Sequence, residues 1–156
     1  MTQLTEHFSL EELSRSEKAT ELGIDNTPPD VVIGNLRKVA ELLEQIRTLL
    51  GNKPIKINSG YRGLDLNIAV GGAKHSSHMK GCAVDFVCPS FGTPHQIMDA
   101  ILASDIQFHR MIYEHTWVHI DIPYEPENEI NQRLALEAHF TPGGPTTYTN
   151  YTSTLA

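Results

Sequence analysis

The chain has 156 residues, enough for one domain that buries a hydrophobic core of its own. Its 40% hydrophobic and 20% charged residues are typical of a globular protein, and no apolar run approaches the length of a membrane span. The formal net charge of −7 argues against a nucleic-acid partner, because phosphate contacts need clustered Lys and Arg.

The first part of the chain, up to about residue 52, is predicted to be helical. Ser9 followed by Glu12 has the pattern of a capping box and predicts a short helix that ends near Gly23. Two prolines within residues 25–30 predict a rigid connector. Residues 31–50 are predicted to form a long amphipathic helix, because apolar side chains recur there at helical spacing: Val32, Leu36, Val39, Leu42, Leu43, Ile46, Leu49 and Leu50.

The second part, about residues 53–151, is predicted to form a largely antiparallel sheet that carries a metal site. A helix capped by Thr93, with Pro94 at its first position, is expected over residues 93–103. His115 and Thr116 are expected to form a two-residue hairpin turn. The fold class is therefore α+β, with N-terminal helices packed on the sheet of a single domain over residues 1–156. Strands are expected over residues 55–58, 83–87, 110–114, 117–122, 133–140 and 146–151.

The two cysteines, Cys82 and Cys88, are expected to be reduced and packed as small hydrophobic side chains. They flank an apolar stretch, and their separation along a strand would be about 20 Å. A disulfide cannot span that distance.

One short segment of the chain combines residues that could bind a metal. His78 and Asp85 are separated by a stretch in which Gly81 can supply a tight turn and Ala83 keeps a close approach clear. His119 lies further on, within a hydrophobic strand. Two neutral imidazoles and one carboxylate, with a fourth position left to water, form the ligand set of a catalytic zinc site.

Each of these residues alone has an ordinary structural interpretation. A single strand histidine such as His119 is more often a hydrogen-bonded core residue, and a single buried Asp85 is more often a structural carboxylate. Only the joint pattern favours a metal site. The other histidines have no partner at ligand spacing and are interpreted as surface or loop residues: His7, His75, His95, His109 and His139.

Several short runs in the chain resemble the zinc D-Ala-D-Ala carboxypeptidase family, and in particular its compact phage-type subgroup. The resemblance also includes the opening HFSLEELSRSEKATELGIDNTPP and the later NQRLALEA, so it covers nearly the whole chain. It implies a fold shared with Hedgehog signalling domains and a Zn²⁺ cofactor held by His78, Asp85 and His119. The runs are SGYR (59–62), LN (66–67), AVGG (69–72), SSH (76–78), GCAVD (81–85) and IYE-HT-WVHID (112–121).

The resemblance also places Arg62 and Ser76 in substrate binding at the catalytic centre. A guanidinium matches the planar C-terminal carboxylate of a D-Ala-D-Ala stem with a bidentate fork; the alternative for Arg62 is a solvated surface charge. Ser76 could equally be a loop-capping hydroxyl that holds His78. Tyr61 and Trp117 could line the substrate cleft, although core packing is the better interpretation of Trp117.

The general base is expected to be Glu114. In several enzymes of this family the base is an acidic residue three positions before the last histidine ligand, but that position is Thr116 here. Glu114 would lie diagonal to His119 across the hairpin, with His115 as the second candidate; the alternative for Glu114 is an ordinary charge at a hairpin end. Asp121 could be a hydrogen-bonding partner of His119 or a surface residue.

The resemblance predicts an enzyme that cuts peptidoglycan stem peptides or cross-links, as a D,D-carboxypeptidase or an endopeptidase. The N-terminus lacks the pattern of a secretory signal. We therefore expect a monomeric phage or prophage protein that stays in the host cytoplasm until it is released to the wall, or that is carried in the virion, with no nucleic-acid or membrane partner. The alternatives are a zinc-containing binding or virion structural module without catalysis, and a peptidase for another substrate, such as a D-Ala-D-Ala dipeptidase.

Overall fold

The computed structural model describes residues 2–124 and 131–154. These residues form an α+β fold with a six-stranded, largely antiparallel sheet, as the sequence predicted. The helices are α1 (Leu10–Ser14), α2 (Glu17–Leu22), α3 (Asp30–Leu49), α4 (Leu64–Ala69) and α5 (Pro94–Ala103), and a 3₁₀ turn covers Ser77–Lys80. The strands are β1 (Lys56–Ser59), β2 (Ala83–Val87), β3 (Arg110–Tyr113), β4 (Val118–Asp121), β5 (Leu134–His139) and β6 (Thr147–Asn150).

The N-terminal helical segment contains two short helices where the sequence predicted one. Ser9 caps α1 by accepting a hydrogen bond from the backbone N–H of Glu12. Arg15 is extended, and Ser16 then caps α2 with its own side chain. The second serine thus offers the backbone a new helix start, which divides the predicted helix. Gly23 ends α2 in the left-handed conformation, as expected from its position.

The hydrophobic core lies between the helices and one face of the sheet. The long helix α3 buries one side completely, including Leu36, Leu43 and Ile46. The facing side chains alternate along the central strands, as in Val84 and Phe86 of β2. The intervening residues of the same strands point to the opposite face, and that face carries the polar residues described below.

The strands are arranged in the order β1-β2-β4-β3-β5-β6. The hairpin β3–β4 is antiparallel around the predicted two-residue turn, and β5–β6 form the predicted C-terminal hairpin. The neighbours β3 and β5 are parallel, a pairing that the sequence did not reveal. The C-terminal hairpin therefore extends the sheet beside β3.

The remaining differences from the predicted elements are small. Strand β1 begins one residue later than expected, and neither α4 nor the 3₁₀ turn was predicted. Both Cys82 and Cys88 are buried thiols, which agrees with their predicted packing. Among the described residues, no helix combines the length and the apolar character that a membrane crossing requires.

Candidate metal centre and active site

Three side chains converge on the face of the sheet opposite the core. Asp85 on β2 and His119 on β4 are direct cross-strand partners, and His78 reaches them from the 3₁₀ turn. One donor atom from each residue lies within 4.8 Å of the donor atoms of the other two. The structure thus brings together the three residues that the sequence singled out as metal ligands.

His78 is oriented by a backbone carbonyl. Its Nδ1 donates a hydrogen bond of 2.7 Å to the carbonyl oxygen of Gly60, which leaves Nε2 facing Asp85 Oδ1 at 3.4 Å. A side chain at Gly60 could not fit, because a Cβ atom there would lie 2.1 Å from the carbonyl oxygen of Leu13. Helix α1 therefore packs closely against Gly60 and holds its carbonyl group in position. That carbonyl determines which ring nitrogen of His78 carries the proton.

Gly81 provides the tight turn between His78 and Asp85. Its φ of 72° is in the left-handed region, and it ends the 3₁₀ turn. An added Cβ would also lie 2.7 Å from Val32 Cγ1 and 2.9 Å from the Val32 carbonyl oxygen. Both the backbone conformation and the contact with α3 therefore require glycine here.

His119 lies between two carboxylates. Its Nδ1 is 3.1 Å from Asp85 Oδ1, and its Nε2 donates to Asp121 Oδ2 at 2.7 Å. Asp121 is 1% exposed and also contacts the guanidinium of Arg110 at 3.2 Å, so the structure rules out a surface role for this residue. A carboxylate that accepts a hydrogen bond from one ring nitrogen of a histidine keeps the proton on that nitrogen. The other ring nitrogen can then bind a metal.

The charges in the cluster stabilise one another. Burial opposes ionisation of Asp85, but the neighbouring charge and hydrogen bonds of His78 and His119 hold its pKa well below the ordinary value. Burial alone would lower the pKa of His119, yet its hydrogen bonds to Asp121 and Asp85 raise that pKa to about 10. Two imidazole nitrogens and a carboxylate oxygen facing one point fit Zn²⁺, since a divalent cation can replace the proton that the cluster otherwise shares.

The cluster lies in an open cleft of about 650 Å³ that Arg62 and Ser76 also line. Arg62 Nη2 donates to Ser76 Oγ at 3.3 Å, and the same oxygen accepts the backbone N–H of His78. Ser76 thus caps the 3₁₀ turn and restrains the guanidinium at once. Arg62 Nε is buried and has no hydrogen-bond partner among the described residues. A buried donor without a partner lowers the stability of the fold. Its presence indicates that this guanidinium can bind an anionic ligand.

Glu114 lines the same cleft at the end of β3. Its Oε2 accepts a hydrogen bond of 2.7 Å from the indole Nε1 of Trp117. Burial, followed by the negative charge of Asp85, raises the pKa of Glu114. His115, the second candidate for the base, donates from Nε2 to the carbonyl oxygen of Ala138, so its ring is engaged with the C-terminal hairpin.

Two other residues from the sequence analysis lie elsewhere. Tyr61 lines a separate groove beside Arg62, together with Arg15 and Lys56, and not the cleft of the metal cluster. His95, interpreted as a surface or loop residue, is half-buried on α5 and stacks on Tyr113 with ring centroids 3.9 Å apart. Neither position could be predicted from the local sequence, because both depend on how distant segments of the chain pack together.

Sequence reasoning missed Arg110 and the cleft residues of the C-terminal hairpin. Arg110 pairs with Asp121 across the β3–β4 hairpin, and counting outward from the two-residue turn would have predicted that pair. The hairpin residues Leu136, Phe140 and Tyr148 also line the cleft. No local signal locates them there, because the parallel pairing of β3 and β5 is a non-local contact.

Two comparisons with known proteins bear on this site. A family model described as Peptidase M15 matches residues 6–121. A 50-residue stretch is 44% identical to the zinc D-Ala-D-Ala carboxypeptidase of Streptomyces albus G, and it covers 32% of this chain and 20% of that protein. The family match includes all three residues of the metal cluster and ends at Asp121, the last residue of β4.

Proposed function

Since this chain belongs to the peptidase M15 family, as its motifs predicted, we propose that it is a zinc-dependent peptidase acting on peptidoglycan stem peptides or cross-links. The observation that carries this proposal is the convergence of His78, Asp85 and His119 in one cleft with Glu114 and Arg62. The name of the Streptomyces relative, a zinc D-Ala-D-Ala carboxypeptidase, supports the substrate class.

In this proposal, His78 Nε2, Asp85 Oδ1 and His119 Nδ1 hold the zinc ion. When bound there, Zn²⁺ supplies a Lewis acid for the scissile carbonyl and the attacking water. A set of three protein ligands is typical of catalytic zinc sites, and these three residues would hold the ion in that way. Asp121 keeps the Nε2 proton of His119 in place, so that Nδ1 remains a ligand.

Glu114 acts as the general base. Its carboxylate takes a proton from the attacking water as the water oxygen bonds to the carbonyl carbon, and it delivers that proton to the leaving nitrogen as the C–N bond breaks. The indole N–H of Trp117 holds one carboxylate oxygen, which leaves the other to receive the proton. The raised pKa of Glu114 suits a group that must both accept and return a proton.

Arg62 binds the terminal carboxylate of the stem peptide. Its buried Nε and its Nη2 lie in the plane of the guanidinium, and together they can donate two parallel hydrogen bonds to a carboxylate. Ser76 positions this guanidinium, and Tyr61 remains available only to a substrate that extends into the adjoining groove. Binding of a free terminal carboxylate by Arg62 would place that group next to the scissile bond. This arrangement favours D,D-carboxypeptidase activity over endopeptidase activity.

The biological setting that we propose is cell-wall degradation by a monomeric phage or prophage protein. The resemblance of nearly the whole chain to the compact phage-type subgroup supports this assignment. Such a protein could act in lysis after release from the host cytoplasm, or locally on the wall as part of the virion.

The test is digestion of purified peptidoglycan with the zinc-loaded protein, with products identified by mass spectrometry. Release of D-Ala is expected for a carboxypeptidase, and newly freed stem-peptide amines for an endopeptidase. If the folded, zinc-loaded protein releases neither product, the proposal is wrong and the non-catalytic binding or structural module is the better interpretation.

A further inference from the structure

The C-terminal hairpin forms one wall of the cleft that contains the metal cluster. Phe140 and Tyr148 line this wall, and both are about half exposed, at 52% and 50%. The hairpin lies beyond residue 121, where the family match ends. Its residues therefore belong to the cleft of this chain without being part of the matched family region.

The strand register places Tyr148 in line with the proposed base. Ile112 pairs with Leu136, and Ala138 pairs with Tyr148. Because Glu114 follows Ile112 by two residues and Ala138 follows Leu136 by two, Glu114, Ala138 and Tyr148 share one cross-strand row on the same face. The hydrogen bond from His115 to the Ala138 carbonyl holds β5 beside this end of the β3–β4 hairpin.

The distance between Glu114 and Tyr148 in this row allows the long side chain of Tyr148 to reach toward the reacting atoms. With neighbouring strands about 4.8 Å apart, the Cα atoms of Glu114 and Tyr148 are separated by about 10 Å. Between them stands Ala138, whose methyl group is fully buried and is not part of the cleft lining, whereas Glu114 and Tyr148 both line the cleft. The phenol of Tyr148 and the carboxylate of Glu114 can therefore approach one substrate group from opposite sides.

The electrostatic surroundings keep the phenol protonated. Partial burial raises the pKa of Tyr148, and the negative charge of Glu114 raises it further. The hydroxyl is consequently a hydrogen-bond donor at neutral pH. Glu114 is an acceptor in its active form, so the two groups have complementary roles across the cleft.

We propose that the Tyr148 hydroxyl donates a hydrogen bond to the scissile carbonyl oxygen as that oxygen becomes negatively charged. This inference rests on the proposed function. As the water oxygen bonds to the carbonyl carbon, the π electron pair moves to the carbonyl oxygen, which Tyr148 stabilises while keeping its own proton. Glu114 carries the water proton to the leaving nitrogen, and the carbonyl re-forms as the C–N bond breaks. One donor of this kind contributes about 10²–10³-fold to kcat.

The test compares Tyr148→Phe with the wild-type, zinc-loaded protein. For an acyl-D-Ala-D-Ala peptide, kcat should fall about 10²–10³-fold while KM stays within about threefold. Affinity for a phosphinate analogue, a tetrahedral anion that mimics the reacting centre, should fall by a similar factor, because catalytic groups bind the transition state more tightly than the substrate. Zinc stoichiometry and the circular dichroism spectrum should remain those of the wild type.

Tyr113→Phe is the matched control. Tyr113 does not line the cleft and stacks on His95 of α5, so the loss of its hydroxyl should leave kcat and phosphinate affinity unchanged. Unchanged kcat and phosphinate affinity in Tyr148→Phe, beside an active wild type, would overturn the proposal. An increase in KM alone would overturn it as well, because it would assign Tyr148 a ring contact with the substrate. If the wild type cleaves no peptidoglycan yet binds the phosphinate through Tyr148, the proposed function fails and the hydrogen bond stands.

Discussion

Each member of the metal cluster depends on a different neighbour for its orientation. The carbonyl of Gly60 sets His78, the carboxylate of Asp121 sets His119, and the strand pairing of β2 with β4 sets Asp85. The three donors are therefore held in place before a metal arrives, and the loss of any one leaves two.

Replacement of His78 or Asp85 by alanine should abolish zinc binding. Two remaining protein ligands do not form a catalytic zinc site, which needs three. Metal analysis of the purified variants should give a zinc content near zero. His7→Ala is the control, since His7 contacts Glu44 in the N-terminal region and should leave the zinc content unchanged. Full zinc content in both ligand variants would contradict the assignment.

Glu114→Gln should keep the zinc ion and lose turnover. The amide cannot accept a proton from water, and general-base catalysis contributes about 10²–10⁴-fold to the rate. Steady-state kinetics and metal analysis on one preparation separate the two effects. Glu137→Gln, on the neighbouring strand β5, is the matched control. Near-normal turnover in Glu114→Gln would mean that another group is the base.

Asp121→Asn should weaken zinc binding about 10–100-fold, as is usual when the hydrogen-bonding partner of a ligand histidine is changed. The amide is nearly the same size but carries no charge to hold the Nε2 proton of His119. Competition with a chromophoric chelator measures the affinity. An unchanged affinity would show that Asp121 acts on the fold and not on the metal.

At the scale of residues, the sequence predicted the cluster because its members lie in short motifs with fixed spacing. The placement of Ser76 beside both Arg62 and His78 could also be anticipated, although its two roles could not be separated. Tyr61 lines the neighbouring groove because of the direction in which its side chain leaves the loop, and its role in substrate binding stays a prediction. That direction depends on α1, which approaches the loop from far away in the sequence.

At the scale of elements, the residues after β6 are attached to α5 through one carboxylate. Asp99 is 3% exposed and accepts hydrogen bonds from the Tyr151 hydroxyl and from the backbone N–H and hydroxyl of Thr154. His95 Nδ1 also lies 3.0 Å from the Tyr151 hydroxyl. Helix α5 therefore holds the end of the hairpin that lines the cleft.

Asp99→Ala should lower the free energy of unfolding by about 2–3 kcal/mol at pH 7, because hydrogen bonds to a buried charge are lost. Burial opposes the charge of Asp99, but these hydrogen bonds outweigh it and lower its pKa below 3.8. A depressed folded-state pKa gives stability that is present above 3.8 and is lost as the pH falls toward the folded value.

Urea unfolding of the wild type and Asp99→Ala at pH 7 and pH 3 measures this effect. The difference in stability between the two proteins should narrow at pH 3. Asp105→Ala changes an exposed residue just after α5, so it should alter the free energy of unfolding little at either pH. A difference that stays constant with pH would mean that the charge of Asp99 does not contribute.

Elements with strong local signals were predicted well. The capping box of α5, the amphipathic period of α3 and the two-residue turn of β3–β4 each act within a few residues. Helix α4 was missed because it is only six residues long and has no side-chain cap. The parallel contact of β5 with β3 was missed because strand order is decided by packing between distant segments.

At the scale of the whole molecule, a bound metal would join three separate parts of the fold. The ligands come from the 3₁₀ turn, β2 and β4, so zinc binding should stabilise the native state over the unfolded chain. A ligand present at 1,000 times its Kd contributes about 4 kcal/mol. For a domain of this size, that corresponds to a rise in Tm of about 8–16 °C.

Thermal unfolding in excess zinc and in excess chelator measures this stabilisation. The Tm should fall by the stated amount when zinc is removed and should recover when zinc is restored. His78→Ala should show no dependence of Tm on zinc. Equal Tm values for the wild type in both conditions would contradict the link between the metal and the fold.

The attachment of the β5–β6 hairpin along β3 has a consequence for how this protein can change over evolution. The residues proposed to perform hydrolysis lie inside the matched family region, whereas one wall of the cleft is supplied by a pair of strands beyond it. In the proposed function, mutations in that pair can alter the preferred substrate while the hydrolytic centre persists. The fold thus separates the chemistry from the choice of substrate, which would let a lineage follow changes in its target without rebuilding the reaction.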